Sequence, residues 1–186
     1  MDRRILLAGV LGALAMFVWL SIAHMALPLG EAGLQQVENE PQLLAAMQST
    51  LHASGLYYFP KMDPNDHTAA ERKMATGPSG LLMYLPSRNF NFGVNLAVEY
   101  ATDFLQVVVV AYLLSLTRAA TFAARLGFFA AAGLVAVVAT NVSYWNWYAF
   151  PAAYILPYMF TGWVGYLCAG AVAGAMKVGG SQASIS

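Results

Sequence analysis

Charge is scarce in this chain. Of 186 residues, 10% are Asp, Glu, Lys or Arg, nine acidic and nine basic, and the formal net charge is zero. Soluble domains carry about 25%. The balance leaves no basic face for nucleic acid. Cysteine is nearly absent: Cys168 stands alone in an apolar run, which excludes an intrachain disulfide and any CxxC pair. Also missing are GxSxG, a P-loop, a GxGxxG between strand and helix, and the metal spacings HExxH, HxxxH and Glu-x-x-His. No internal repeat is visible, which argues against an inverted-repeat transporter. What is abundant is apolar surface. Hydrophobic residues make up 59% of the chain, more than a soluble core of this size encloses and what a bilayer accommodates.

Four runs are long enough to cross a bilayer, where about 20 apolar residues span the hydrocarbon. The first ends before Pro28 and bears Ala8, Gly9, Gly12 and Ala13 at spacings that permit close helix contact. A basic start and Ser21-Ile22-Ala23 also fit a cleaved signal peptide; the length of the run favours retention as a span. The expected fold is an all-α membrane protein, a four-transmembrane-helix bundle. The expected divisions are span 1 over 1–27, an extracytoplasmic segment over 28–90, span 2 over 91–117, span 3 over 118–141, an aromatic extracytoplasmic loop over 142–149, span 4 over 150–177, and a flexible cytoplasmic tail over 178–186.

The 28–90 segment holds most of the polar residues. Asn39-Glu40-Pro41 opens an amphipathic helix through about His52, with Leu43, Leu44, Met47 and Leu51 on one side that must lie on something. Short strands are expected at 55–60 and 81–85, able to pair, with a helix from Asp63-Pro64 to near Gly77 between them. Tyr57, Tyr58, Phe59 and Tyr84 form its expected core, and His52 and His67 are expected in solvent. Arg3 and Arg4, then Arg118 and Arg125, then Lys177 fall on one side in a four-span layout. By the positive-inside rule both termini are cytoplasmic, and the setting is a bacterial inner membrane.

Span 2, FGVNLAVEYATDFLQVVVVAYLLSL, carries Asn95, Glu99 and Asp103 four residues apart, on one helical face. A carboxylate facing lipid costs about 3 kcal/mol, so the face meets protein or water. At ~1.5 Å per residue Glu99 lies ~10 Å and Asp103 ~16 Å along the helix. Ser21 and His24, Thr140 and Asn141, and Tyr154, Tyr158 and Thr161 lie at matching depth on the other spans. The opposite halves hold little that is polar beyond Gln106 and Tyr112. An outward-facing pocket is expected, with His24, Asn95, Glu99, Asp103, Asn141, Tyr154 and Tyr158 as ligand-binding residues. Alternatively the carboxylates bond to His24, Tyr154, Tyr158 or Asn141 and hold the bundle together.

Glu99 and Asp103 are the candidate catalytic pair, as general acid and base. With His24 they are also the candidate metal ligands, offering nitrogen and oxygen donors. No motif specifies a cofactor. The aromatics of Tyr144–Tyr148 suit an interfacial belt or the wall of a lipid or quinone-like ligand. Gly162, Gly165, Gly170 and Gly174 suit tight packing within the chain or against another copy in a homo-oligomer or larger membrane complex. Cys168 reads as inert packing.

Four spans with a long first outer loop resemble the claudin layout in topology alone. That family's paired loop cysteines and tryptophan-rich motif are absent, and the resemblance implies no activity. Three functions fit these residues: a binding protein or accessory subunit holding a small molecule, lipid or partner helix; an intramembrane enzyme acting on a lipid-like or quinone-like substrate; and an oligomeric proton or cation transporter.

Overall fold

The computed structural model describes residues 3–179, apart from the His67 side chain. The expected tail, from residue 180 on, and the expected exposure of His67 lie outside the described residues. In chain order the elements are α1 (Arg3–Met25), α2 (Glu40–Thr50), β1 (Gly55–Phe59), α3 (His67–Thr76), β2 (Gly80–Tyr84), α4 (Phe92–Ser115), α5 (Phe122–Tyr148) and α6 (Ala152–Ala175). Helices α1, α4, α5 and α6 are long and apolar enough to cross a membrane. The described residues divide into two compact units: a helical unit of residues 3–34, 91–146 and 150–179, and a small unit of residues 35–90 with 147–149.

In the helical unit α1 packs on both α4 and α6. Small residues make this possible. Ala8, Gly9, Gly12 and Ala13 are all buried. A Cβ on Gly9 would run into Val108 of α4, and one on Gly12 would come within 2.9 Å of Val107 and 3.5 Å of the Ala169 carbonyl of α6. Helix α5 packs on α6 by the same means. A Cβ on Gly133 would meet Tyr166 at 2.6 Å, one on Gly170 would meet Phe129 at 2.6 Å, and one on Gly174 would meet Phe122 at 2.7 Å. Gly165 faces Met16 of α1, and Gly162 faces Val137 of α5. These four α6 glycines therefore face side chains of neighbouring helices in the same chain.

The densest packing is at one end of the unit. Ile5, Ala8, Val107, Val110, Ala111, Leu114, Phe129, Ala169, Ala173 and Val178 form a continuous core there. Arg125 closes it. Expected as a flanking charge, it is instead buried, donating through Nε to the Val178 carbonyl at 2.8 Å and through Nη2 to the Gly179 carbonyl at 3.2 Å. These carbonyls lie just past the C-terminus of α6, where a cation is favoured.

Three boundaries differ from the sequence reading. The expected loop over 142–149 is helical as far as Tyr148, because nothing in NVSYWNWY breaks a helix. The chain turns only at Ala149, with φ of 54°, and Pro151 caps α6. In the small unit α3 starts at His67 rather than at Asp63-Pro64. The Asp63 carboxylate accepts the Asn65 N–H at 2.9 Å in a local turn, and Asp66 caps the helix through the Ala69 N–H at 2.9 Å. Helix α2 ends at Thr50; it has no buried residue, and Leu43 and Leu44 are exposed.

Strands β1 and β2 pair antiparallel, Gly55 opposite Tyr84 and Phe59 opposite Gly80. The aromatic core expected in this unit reduces to Tyr84, edge-on to Tyr57 with ring centroids 6.4 Å apart; Tyr58 and Phe59 are exposed.

Candidate functional site

Helix α4 begins at a true cap: Asn91 accepts the Val94 N–H at 3.1 Å. That start fixes the phase of Asn95, Glu99, Asp103 and Gln106, which recur every three or four residues and share one face. The face borders a cavity of about 540 Å³ within the helical unit. Helix α1 contributes Met16, Phe17, Leu20, Ser21 and His24 at the same periodicity. Helix α5 contributes Ala136, Val137, Thr140 and Asn141, and α6 contributes Tyr158, Thr161, Gly162 and Tyr166. The cavity occupies the half of the unit away from the packed core.

Burial divides the lining into mouth and floor. His24, Asn95, Glu99, Thr140 and Tyr158 are exposed. Asp103 is 1% exposed, Thr161 2%, Asn141 6% and Tyr166 7%. Buried polar groups are almost always hydrogen-bonded, and Tyr166 and Asn141 are, as is the exposed His24. The Tyr166 hydroxyl donates to Gln106 Oε1 at 2.7 Å. Asn141 Nδ2 donates to the Val137 carbonyl at 2.9 Å. His24 Nδ1 lies 2.8 Å from the Leu20 carbonyl. The exceptions are Asp103 and Thr161. Both carboxylate oxygens of Asp103 and the Thr161 hydroxyl are buried with no hydrogen-bond partner among the described residues. Leaving a buried polar group unpaired costs about 1–3 kcal/mol, more when it is charged. Three such atoms converge on one cavity.

Of the seven expected binding residues, the cavity gathers His24, Asn95, Glu99, Asp103, Asn141 and Tyr158. Tyr154 is not among them. Its ring stacks on Tyr158 at 5.7 Å and on Phe150 at 5.9 Å, and Gly33 presses against its backbone. The reading in which the carboxylates tie the helices together through His24, Tyr154, Tyr158 or Asn141 does not hold for Asp103, which bonds none of them. Among the described residues no three His, Cys, Asp or Glu side chains are grouped to hold a metal ion, so His24, Glu99 and Asp103 do not form that centre. None of Tyr144, Trp145, Trp147 and Tyr148 lines the cavity, which removes them as its aromatic wall. Cys168 is half-buried and also outside the lining.

Thr161, expected at this depth, lines the cavity, and Gln106 and Tyr166, which were not expected there, join it. Gln106 extends the 95–99–103 stripe by three residues. Tyr158, Gly162 and Tyr166 stand four apart on α6, a spacing that places Tyr166 on the cavity face. No protein family, characterised protein or solved structure matches this chain.

Proposed function

We propose that the chain is an integral membrane protein that holds a small molecule or lipid in the cavity between its four long helices. All four helices are apolar and 23 to 27 residues long, lengths that suit the ~30 Å hydrocarbon core. With Arg3, Arg4, Arg118 and Lys177 on the cytoplasmic side of an inner membrane, both termini are inside. The cavity then opens toward the extracytoplasmic face. Its volume is within the 300–1,000 Å³ usual for small-molecule sites.

One observation carries this reading: the unpaired Asp103 carboxylate and Thr161 hydroxyl at the floor of that cavity. A structural acid would be bonded by its neighbours. An acid left bare in a cavity is placed for a group that arrives from outside. A transmembrane proton or cation route in a single chain is disfavoured, because Val107, Val110, Leu114, Phe129, Ala169 and Ala173 fill the other half of the unit. The alternative is catalysis with Glu99 and Asp103, which both line the cavity, as acid and base.

The test is to purify the protein from its native membranes in mild detergent and identify small molecules released on denaturation. A stoichiometric compound absent from an Asp103→Asn preparation supports the reading. Bulk membrane lipid alone, in equal amounts from both preparations, rejects it.

A further inference from the structure

Resting on the reading of the cavity as a ligand site, we infer that its occupant is an organic cation bearing N–H groups on an apolar body, such as a primary alkylammonium. Sign comes first. The acidic lining residues are Glu99 and Asp103, and among the described residues no Lys or Arg lines the cavity. His24 alone could add positive charge there. It is exposed, and its Nδ1 is occupied by the Leu20 carbonyl. An anionic head group would meet two carboxylates with nothing to neutralise it.

Hydrogen-bond polarity comes second. Beside a bound cation the Asp103 carboxylate is ionised and only accepts, so its two bare oxygens suit donors on the ligand. Among the described residues no side chain donates to either oxygen: the Tyr166 hydroxyl goes to Gln106 Oε1, Asn141 Nδ2 bonds the Val137 carbonyl, and the Thr161 hydroxyl is itself unbonded. With both oxygens open to the cavity, a ligand that brings its own donors is favoured, an N–H-bearing cation over a quaternary one.

The walls come third. Phe17, Tyr158 and Tyr166 present rings, and Met16, Leu20 and Leu96 apolar surface. Aromatic faces attract cations, and a space of about 540 Å³ far exceeds a bare metal ion.

The test holds the tail constant and varies the head group. The full chain in nanodiscs of zwitterionic lipid is titrated with octylammonium, octyltrimethylammonium, octanol and octanoate, each corrected for partition into empty nanodiscs. Octylammonium is expected to bind saturably, at least tenfold tighter than the other three. Asp103→Asn is expected to bring it down to the level of octanol, and Glu99→Gln, at the exposed mouth, to weaken it less. The head-group comparison on the unaltered protein stands even if a variant fails to fold. Octanol or octyltrimethylammonium binding as tightly as octylammonium overturns the N–H cation while leaving a ligand cavity in place. If no compound binds saturably above empty nanodiscs, the ligand cavity itself is rejected.

Discussion

The Tyr166 hydroxyl donates to Gln106 rather than to Asp103, three residues away on the same face of α4. The bond is 2.7 Å long and ties α6 to α4 across the floor of the cavity. It satisfies the tyrosine and takes up the glutamine oxygen, and it leaves the carboxylate bare. The polar floor thus has a structural member and an unspent one side by side.

Tyr166→Phe tests the structural member. It removes one buried hydrogen bond while keeping the ring against Gly133. Loss of such a bond costs about 0.5–1.5 kcal/mol. The thermal midpoint of the purified protein should fall by a few degrees. An unchanged midpoint shows that the bridge contributes nothing to stability.

Glycine substitutions on α5 separate packing from helix propensity. A Cβ at Gly133 would meet Tyr166 at 2.6 Å, whereas at Gly127 nothing lies within 4 Å. Gly133→Ala should destabilise by about 1–3 kcal/mol, the usual cost of overpacking. Gly127→Ala should be neutral or stabilising by up to about 1 kcal/mol, because alanine is the better helix former. Chemical unfolding of the two variants side by side decides this, and equal effects would remove the α5–α6 contact as the cause.

The stripe of Asn95, Glu99 and Asp103 was legible because a four-residue spacing means one face on any helix. So was the order of depth along the helix; the degree of burial was not. Whether Asp103 is buried and Glu99 exposed depends on which neighbours reach α4, and that is a matter of tertiary packing. Tyr154 illustrates the same limit: it lies beside Tyr158, as depth along α6 suggests, but between Tyr158 and Phe150 and outside the cavity lining. Arg125 was read as a flanking charge because basic residues near span ends usually snorkel to water. Its partners are main-chain carbonyls, and those leave no mark in a sequence. The run NVSYWNWY was expected to be a loop from its composition, but belt residues are compatible with a helix and no Gly or Pro interrupts them.

In the small unit, acid should loosen the start of α3. The Asp66 carboxyl is held below its usual range, chiefly by the Thr68 hydroxyl and then by the Ala69 N–H. A group whose folded value is depressed stabilises above its unfolded value, near 3.9, and loses that contribution as pH falls through the folded value. Amide exchange at Ala69, corrected for its intrinsic rate, should accelerate as pH drops through and below the usual carboxylate range. Asp66→Asn, which keeps a capping oxygen, should flatten that dependence. If the variant retains it, another group is responsible.

Arg125→Met should strip the carbonyls of Val178 and Gly179 of their donor. Each carbonyl left buried and unpaired costs about 1–3 kcal/mol. Unfolding in detergent should show a loss of that order, and the octylammonium affinity should be unchanged because the site lies at the other end of the helices. A loss of affinity without loss of stability would mean that the two ends are coupled.

The most direct measurement of the central claim is the Asp103→Asn variant, read for thermal stability and ligand occupancy in the same preparation. Asp103 is buried and, among the described residues, bonded to nothing, so replacing it by a neutral isostere removes no hydrogen bond and lifts the cost of burying an unpaired acid. The expected result is a ligand-free protein whose midpoint equals or exceeds that of ligand-free wild type, with the bound small molecule of the wild type missing. A variant that unfolds more readily than ligand-free wild type while still carrying the same small molecule would contradict the claim and return Asp103 to a structural role.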